Sequence, residues 1–253
     1  MQFETRYTYD FIRRSLPPGC RRILEIGCGT GELAACLSQD GFAVVAIDTD
    51  AESVAAAQRL GVDARAATWP DFHDGQFDAV LFTRSLHHIR PLDQCVRRAV
   101  HSLAAGGRII VEDFAYESAD EKTLHWFSSA IRVLEAAGSL TVTDDFVQRV
   151  LSKTETLEAW RRNHENDLHT AAQIDAELKK ALGGVERENA AYYFRYMANA
   201  ISATDRRDVI LQAFAEQEEM LAADGSIEAL GRRFVAGRDS KIEINLAALS
   251  TSR

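Results

Sequence analysis

Residues 22–31 read RILEIGCGTG, an apolar run that leads directly into three closely spaced glycines. A short apolar run is typical of a buried strand, and glycine lets the backbone turn sharply and approach a ligand because it has no Cβ atom. The next residues, 32–37, have the pattern of a helix whose free N–H groups would face that ligand. Strand, glycine turn and helix together predict a nucleotide-type cofactor site.

The glycine spacing distinguishes two classes of cofactor. A dinucleotide fingerprint needs a third glycine three residues after the second, and Glu32 stands at that position. The pattern of an acid followed by alternating glycines instead resembles the first motif of the class I S-adenosylmethionine (SAM) dependent methyltransferases. The cofactor-binding residues that this resemblance implies in the turn are Glu25, Gly27, Cys28, Gly29 and Gly31.

A second apolar strand, 44–48, ends in Asp48. A carboxylate at this place can accept hydrogen bonds from both hydroxyls of a ribose. Asp48 is therefore predicted to hold the ribose of the cofactor, and the neighbouring Thr49 is expected to contact the cofactor as well.

Two later segments extend the resemblance to residues 22–113. Residues 77–83 resemble the family's fourth strand, which ends here in Thr83, another expected cofactor contact. Residues 103–111 resemble the turn and fifth strand, with Ala105 where family members usually have proline. Relatives often carry an acid after the third strand, near adenine, but this chain has none there. Adenine contacts are expected from Thr68, Trp69 or the backbone, and the alternative for Trp69 is packing under the loop.

The loop 85–89 resembles the one that borders the methyl-transfer site of the family. Methyl transfer chiefly requires alignment of the acceptor and exclusion of water, although an oxygen acceptor can need a general base. His87 and His88 are the candidate bases; alternatively, the pair orders the loop. His164 and His169 are five residues apart, which does not place them on one helical face as zinc ligands, so they face the acceptor or solvent. No metal site is predicted.

The resemblance implies an α/β fold, a Rossmann-like seven-stranded sheet with helices on both faces. Residues 1–114 are predicted to form the SAM-binding core, 115–184 a helical insertion that acts as a lid over the acceptor, and 185–253 the completion of the core. Strands six and seven are expected near residues 190 and 230. The aromatic stretch 190–196 is predicted to be a strand with Tyr193 on the opposite side from its aromatic neighbours.

Composition limits the function further. The chain has 253 residues and a formal net charge of -9 without a basic block, which argues against a nucleic-acid partner. Its four cysteines are scattered and predicted to be free thiols, and no apolar stretch reads as a signal peptide or membrane span, so a cytoplasmic location is expected.

The function predicted from the sequence is transfer of a methyl group from SAM to an oxygen, nitrogen or carbon atom of a small metabolite. Two alternatives remain open. One is an NAD(P)-dependent oxidoreductase, which would share the strand, the glycine turn and the acid. The other is a SAM-binding regulatory protein without transfer activity.

Overall fold

The computed structural model describes residues 1–141, 145–164, 168–202 and 206–237. Residues 238–253 of the predicted core completion lie outside the described residues, as do 165–167, within a stretch predicted to be helical. The helices are α1 (Phe3–Ser15), α2 (Glu32–Gln39), α3 (Ala51–Arg59), α4 (Leu92–Ser102), α5 (Glu121–Ala136), α6 (Asp145–Leu151), α7 (Leu157–His164), α8 (Ala171–Leu182), α9 (Phe194–Ala198) and α10 (Arg207–Ala223). The strands are β1 (Arg22–Ile26), β2 (Ala43–Asp48), β3 (Asp63–Ala66), β4 (Phe77–Thr83), β5 (Leu103–Phe114), β6 (Glu186–Ala190) and β7 (Gly231–Gly237).

The seven strands form one sheet in the order β3-β2-β1-β4-β5-β7-β6. β1 pairs in parallel with β2 and with β4, and further parallel pairs join β2 to β3 and β4 to β5. The apolar side chains of β1 are fully buried, as expected for a parallel strand covered on both faces. The predicted seven-stranded α/β fold is confirmed.

The described chain folds into two compact units. The core unit comprises Thr8–Asp113, Ala172–Arg187 and 233–237, and the helical unit comprises Met1–Tyr7, Phe114–Ala171 and Glu188–Arg232. This division differs from the predicted segments, because α8 groups with the core unit whereas most of the stretch after it groups with the helical unit. The lid role of 115–184 stays a prediction. No helix among the described residues is long and apolar enough to span a bilayer.

The helical unit has an aromatic core in which Trp160, Tyr193 and Phe194 are fully buried. The prediction of a strand over 190–196 is wrong here, since β6 ends at Ala190 and α9 begins at Phe194. The reason is a carboxyl group that is distant in sequence. Glu218 on α10 accepts the backbone N–H groups of Tyr192 at 2.7 Å and Tyr193 at 2.9 Å, so these donors start a helix and are not available to a sheet partner.

Gly31 begins α2 in the left-handed conformation, with φ of 81°, and a Cβ atom there would lie 2.4 Å from the Cβ of Ala57 on α3. Gly61 has nearly the same φ, 83°, with no heavy atom within 4 Å of such a Cβ. We expect Gly61→Ala to cost about 1 kcal/mol, the strain of the left-handed backbone, and Gly31→Ala to cost a further 1–3 kcal/mol or so from overpacking. Urea unfolding of the two variants measures this difference. Equal losses would show that α2 and α3 move apart without penalty.

Candidate functional site

A cavity of about 460 Å³ lies in the core unit at the carboxyl ends of β1, β2 and β4. This is where an open parallel sheet binds ligands, at the point where the connections leave in opposite directions. The predicted site residues that line it are Gly27, Asp48, Thr49, Thr68, Trp69 and His88. The other predicted site residues, namely Glu25, Cys28, Gly29, Gly31, Thr83 and His87, are not part of its lining.

The glycine turn lies directly over the end of β2, because the N–H groups of Gly27 and Cys28 both donate to the carbonyl of Ile47, at 2.8 and 3.1 Å. Gly27 has a left-handed φ of 74°, and a Cβ atom there would lie 2.5 Å from the Cβ of Ser85. The hydroxyl of Ser85 in turn donates to the carbonyl of Ile26 at 2.6 Å. The turn after β1 and the loop after β4 are thus packed against each other at a position that only glycine can fill.

Asp48 is fixed by backbone donors on both sides. Its Oδ2 accepts the N–H of Gly29 at 2.8 Å, and its Oδ1 accepts the N–H of Asp50 at 3.0 Å. A carboxylate has about four lone-pair sites, so each oxygen can accept a second hydrogen bond from a ligand hydroxyl. The sequence-predicted ribose residue is therefore held at the cavity wall with its orientation set.

Glu25 lies within the sheet beneath the glycine turn, with only 2% of its surface exposed. The hydroxyl of Thr83 donates to its Oε1 at 3.0 Å, and Oε2 has no hydrogen-bond partner among the described residues. Burial raises the pKa of the Glu25 carboxyl to about 7, although the Thr83 hydrogen bond opposes the shift. Glu25 and Thr83 thus form a buried pair under the site.

The thiol of Cys28 is half-buried in the turn. Burial, reinforced by the carboxylates of Glu25 and Asp48, raises its pKa to about 12. The thiol therefore stays protonated at neutral pH, which is the inert form. Its position in the turn matters through its backbone N–H rather than through its sulfur.

Trp69 has the packing role considered for it, and its adenine contact stays a prediction. Its indole N–H donates to the carbonyl of Cys95 at 3.2 Å, and its ring packs edge-on against Phe82, with centroids 6.3 Å apart. The same side chain is part of the cavity lining. It is a packed residue that also forms the wall where adenine contacts are expected.

The two histidines of the loop after β4 have different surroundings. His87 is buried, with its Nδ1 2.5 Å from Oδ1 of Asp113, whose Oδ2 accepts the His87 backbone N–H at 3.2 Å. His88 is exposed and lines the cavity, and its ring centroid is 4.0 Å from that of His87. Of the two candidate bases, His88 is the one that faces the cavity, and His87 supports the loop from behind.

His164 and His169 belong to the helical unit. The ring of His164 stacks on Tyr116 with centroids 5.7 Å apart, and its Nδ1 is 2.7 Å from the carbonyl of Trp160. His169 is half-buried. Whether either residue faces an acceptor stays a prediction.

Sequence reasoning missed four cavity residues in the loop after β4. They are Arg84, Ser85, Ile89 and Arg90. The available signal was the placement of an arginine at each end of the histidine loop. Arg84 adopts a left-handed φ of 60°, unusual for a residue with a side chain, and its N–H donates to the carbonyl of Glu112 at 2.7 Å.

Comparison with known proteins agrees with this site. Residues 24–111 match the family described as "Methyltransferase domain". The ribosomal RNA small subunit methyltransferase C of Chromohalobacter salexigens is 35% identical over 119 residues, covering 42% of this chain and 36% of that protein. The ubiquinone biosynthesis O-methyltransferase of Xylella fastidiosa is 29% identical over 220 residues, covering 83% and 79%.

Among solved structures, Haemonchus contortus phosphoethanolamine N-methyltransferase 2 in complex with SAM has a TM-score of 0.57 at 16% identity, over 92% of this chain and 52% of that one. At this identity the likeness concerns the fold alone. The sheet order, the glycine turn and the acid after β2 define a Rossmann-like cofactor-binding fold. The match of residues 24–111 to the methyltransferase domain is consistent with the class I SAM-dependent methyltransferase predicted from the sequence.

The raised pKa of Glu25 makes stability depend on pH. Because burial favours the protonated form, the stabilising contribution is fully present below about pH 4.5 and is lost as pH rises to about 7. Relative to Glu25→Gln, we expect the free energy of unfolding of the unaltered protein to fall by on the order of 3 kcal/mol over this range. Urea unfolding at pH 4.5 and pH 8 measures it. A constant difference between the two proteins would mean that folding does not raise the pKa of Glu25.

Proposed function

We propose that this chain transfers the methyl group of SAM to an oxygen, nitrogen or carbon atom of a small molecule. The observation that carries the proposal is Asp48, held at the cavity wall by two backbone N–H groups beside the glycine turn. A carboxylate fixed in this way suits the two hydroxyls of an adenosyl ribose. The indole of Trp69 supplies an apolar surface for adenine in the same wall.

The cavity supports a small acceptor in preference to a macromolecule. Its volume of about 460 Å³ lies within the range of small-molecule pockets, about 300–1,000 Å³. The net charge of -9 opposes binding to nucleic acid. One relative is named as an O-methyltransferase of ubiquinone biosynthesis and another as a ribosomal RNA methyltransferase, so the support for a small acceptor comes from this chain's own cavity and charge.

A thermal-shift experiment with SAM, S-adenosylhomocysteine and NADH tests the cofactor first, since a ligand that binds the native state raises its apparent stability. We expect both adenosyl ligands to raise the Tm and NADH to leave it unchanged. A shift with NADH alone would favour the oxidoreductase alternative. Binding of SAM without methylation in an acceptor screen would favour the regulatory alternative.

Asp48→Ala is expected to weaken binding of S-adenosylhomocysteine by roughly ten- to a hundredfold, because two hydrogen bonds to a charged group are lost. The measurement is isothermal titration calorimetry. Asp93→Ala is the matched control. Asp93 is an exposed acid of the same unit, and it pairs with Arg97 on α4. Equal affinities for the two variants would exclude Asp48 as the ribose residue.

His88 is the proposed general base for an oxygen acceptor, because it is the histidine of this loop that lines the cavity. With an acceptor identified in the screen, His88→Gln is expected to lower kcat by about a hundredfold or more, with affinity for S-adenosylhomocysteine unchanged. Stopped methylation assays and calorimetry measure the two quantities. An unchanged kcat would mean that catalysis depends on alignment of the acceptor and not on a base at His88.

A further inference from the structure

The cavity in the core unit has two chemically different ends. Asp48 and Thr49 follow β2, whereas Arg84, His88 and Arg90 follow β4. β2 and β4 lie on opposite sides of β1, so these ends are separated by two strand spacings, about 10 Å. One end carries a carboxylate and a hydroxyl that suit a ribose, and the other carries two guanidinium groups and an imidazole.

The acid paired with Arg84 is shared with other side chains. Glu112 is buried, and its Oε2 accepts hydrogen bonds from Arg233 Nε at 2.9 Å and Nη2 at 2.8 Å. Its Oε1 accepts the hydroxyl of Thr8 at 2.6 Å. The Nη1 of Arg84 lies 3.7 Å from the same Oε1, beyond hydrogen-bond distance. Two guanidinium groups thus share the carboxylate of Glu112, and the charge of Arg84 also acts on the buried carboxyl of Glu25.

Arg84 keeps an accessible guanidinium group, although its Nη1 donates to the hydroxyl of Thr8 at 3.5 Å. Its side chain is 40% exposed, whereas that of Arg233 is 6% exposed. Its backbone is held in the left-handed conformation by the hydrogen bond to the carbonyl of Glu112, which places the residue at the cavity wall. Arg84 thus forms a long ion pair with Glu112 while its side chain stays partly exposed beside the cavity.

Arg90 adds a second positive charge at the other end of the same loop. It is exposed, it lines the cavity, and no ion pair joins it to an acid within the described ranges. An exposed arginine is usually a solvated surface residue. Here two arginines flank one short loop and line one cavity. The chain as a whole has a net charge of -9, so this end of the cavity differs in charge from the rest of the protein.

We propose that Arg84 and Arg90 form a subsite for an anionic group, a carboxylate or a phosphate. Guanidinium is the side chain best suited to these groups because it donates two parallel hydrogen bonds to them. The inference rests on the proposed function and narrows it to acidic acceptors. The amino-acid carboxylate of the cofactor is a second source of such an anionic group. The acceptor is the favoured source, since two guanidinium groups exceed what one carboxylate with an adjacent ammonium needs.

The experiment compares Arg84→Gln and Arg90→Gln with a matched control, Arg97→Gln, an exposed arginine on α4 outside the cavity. In the first arm, calorimetry measures binding of S-adenosylhomocysteine, which has the amino-acid carboxylate, and of 5′-methylthioadenosine, which lacks it. In the second arm, inorganic phosphate or acetate is titrated against chloride at constant ionic strength, with and without S-adenosylhomocysteine, and the Tm is recorded.

For an acidic acceptor we expect phosphate or acetate to raise the Tm, the rise to be lost in both cavity variants and kept in Arg97→Gln, and both nucleoside affinities to be unchanged. If the cofactor carboxylate is the source, the cavity variants lower the affinity for S-adenosylhomocysteine by about tenfold or more and leave the affinity for 5′-methylthioadenosine unchanged.

Cavity variants that match the control in both arms would overturn the subsite. Failure of the unaltered protein to bind either nucleoside would overturn the proposed function instead, and the titration without nucleoside would still test the subsite.

Discussion

The site depends on the contact between the glycine turn after β1 and the loop after β4. Gly27 occupies a left-handed conformation in which no side chain fits, because Ser85 lies against it and donates to the carbonyl of Ile26. This contact fixes the two segments that form opposite parts of one cavity. The position of Asp48 depends on the same turn, since the N–H of Gly29 is one of its two donors.

Much of this arrangement could be predicted from the sequence because the determinants are local. A buried strand, alternating glycines and an acid at the end of the next strand are adjacent or nearly adjacent in the chain, and parallel pairing brings their carboxyl ends together. The residues that sequence reasoning missed depend on contacts over longer separations. Nothing near Arg84 in the sequence reveals that it shares the carboxylate of Glu112 with Arg233.

The wrong prediction over residues 190–196 has the same origin. The alternation of aromatic residues favours a strand on propensity alone. A single carboxyl group, that of Glu218, reverses that preference by accepting the N–H groups of Tyr192 and Tyr193, the two residues before α9. Local preference was overridden by two hydrogen bonds that join residues 26 and 25 positions apart.

Glu218 also makes the stability of the helical unit depend on pH. Burial raises the pKa of its carboxyl to about 8, against the lowering effect of the backbone N–H groups it accepts. In the folded helical unit at neutral pH it is therefore mostly protonated, whereas in an unfolded chain it would be ionised. Unfolding of the helical unit consequently releases a proton at neutral pH. A rise in pH therefore shifts the folding equilibrium toward the unfolded state.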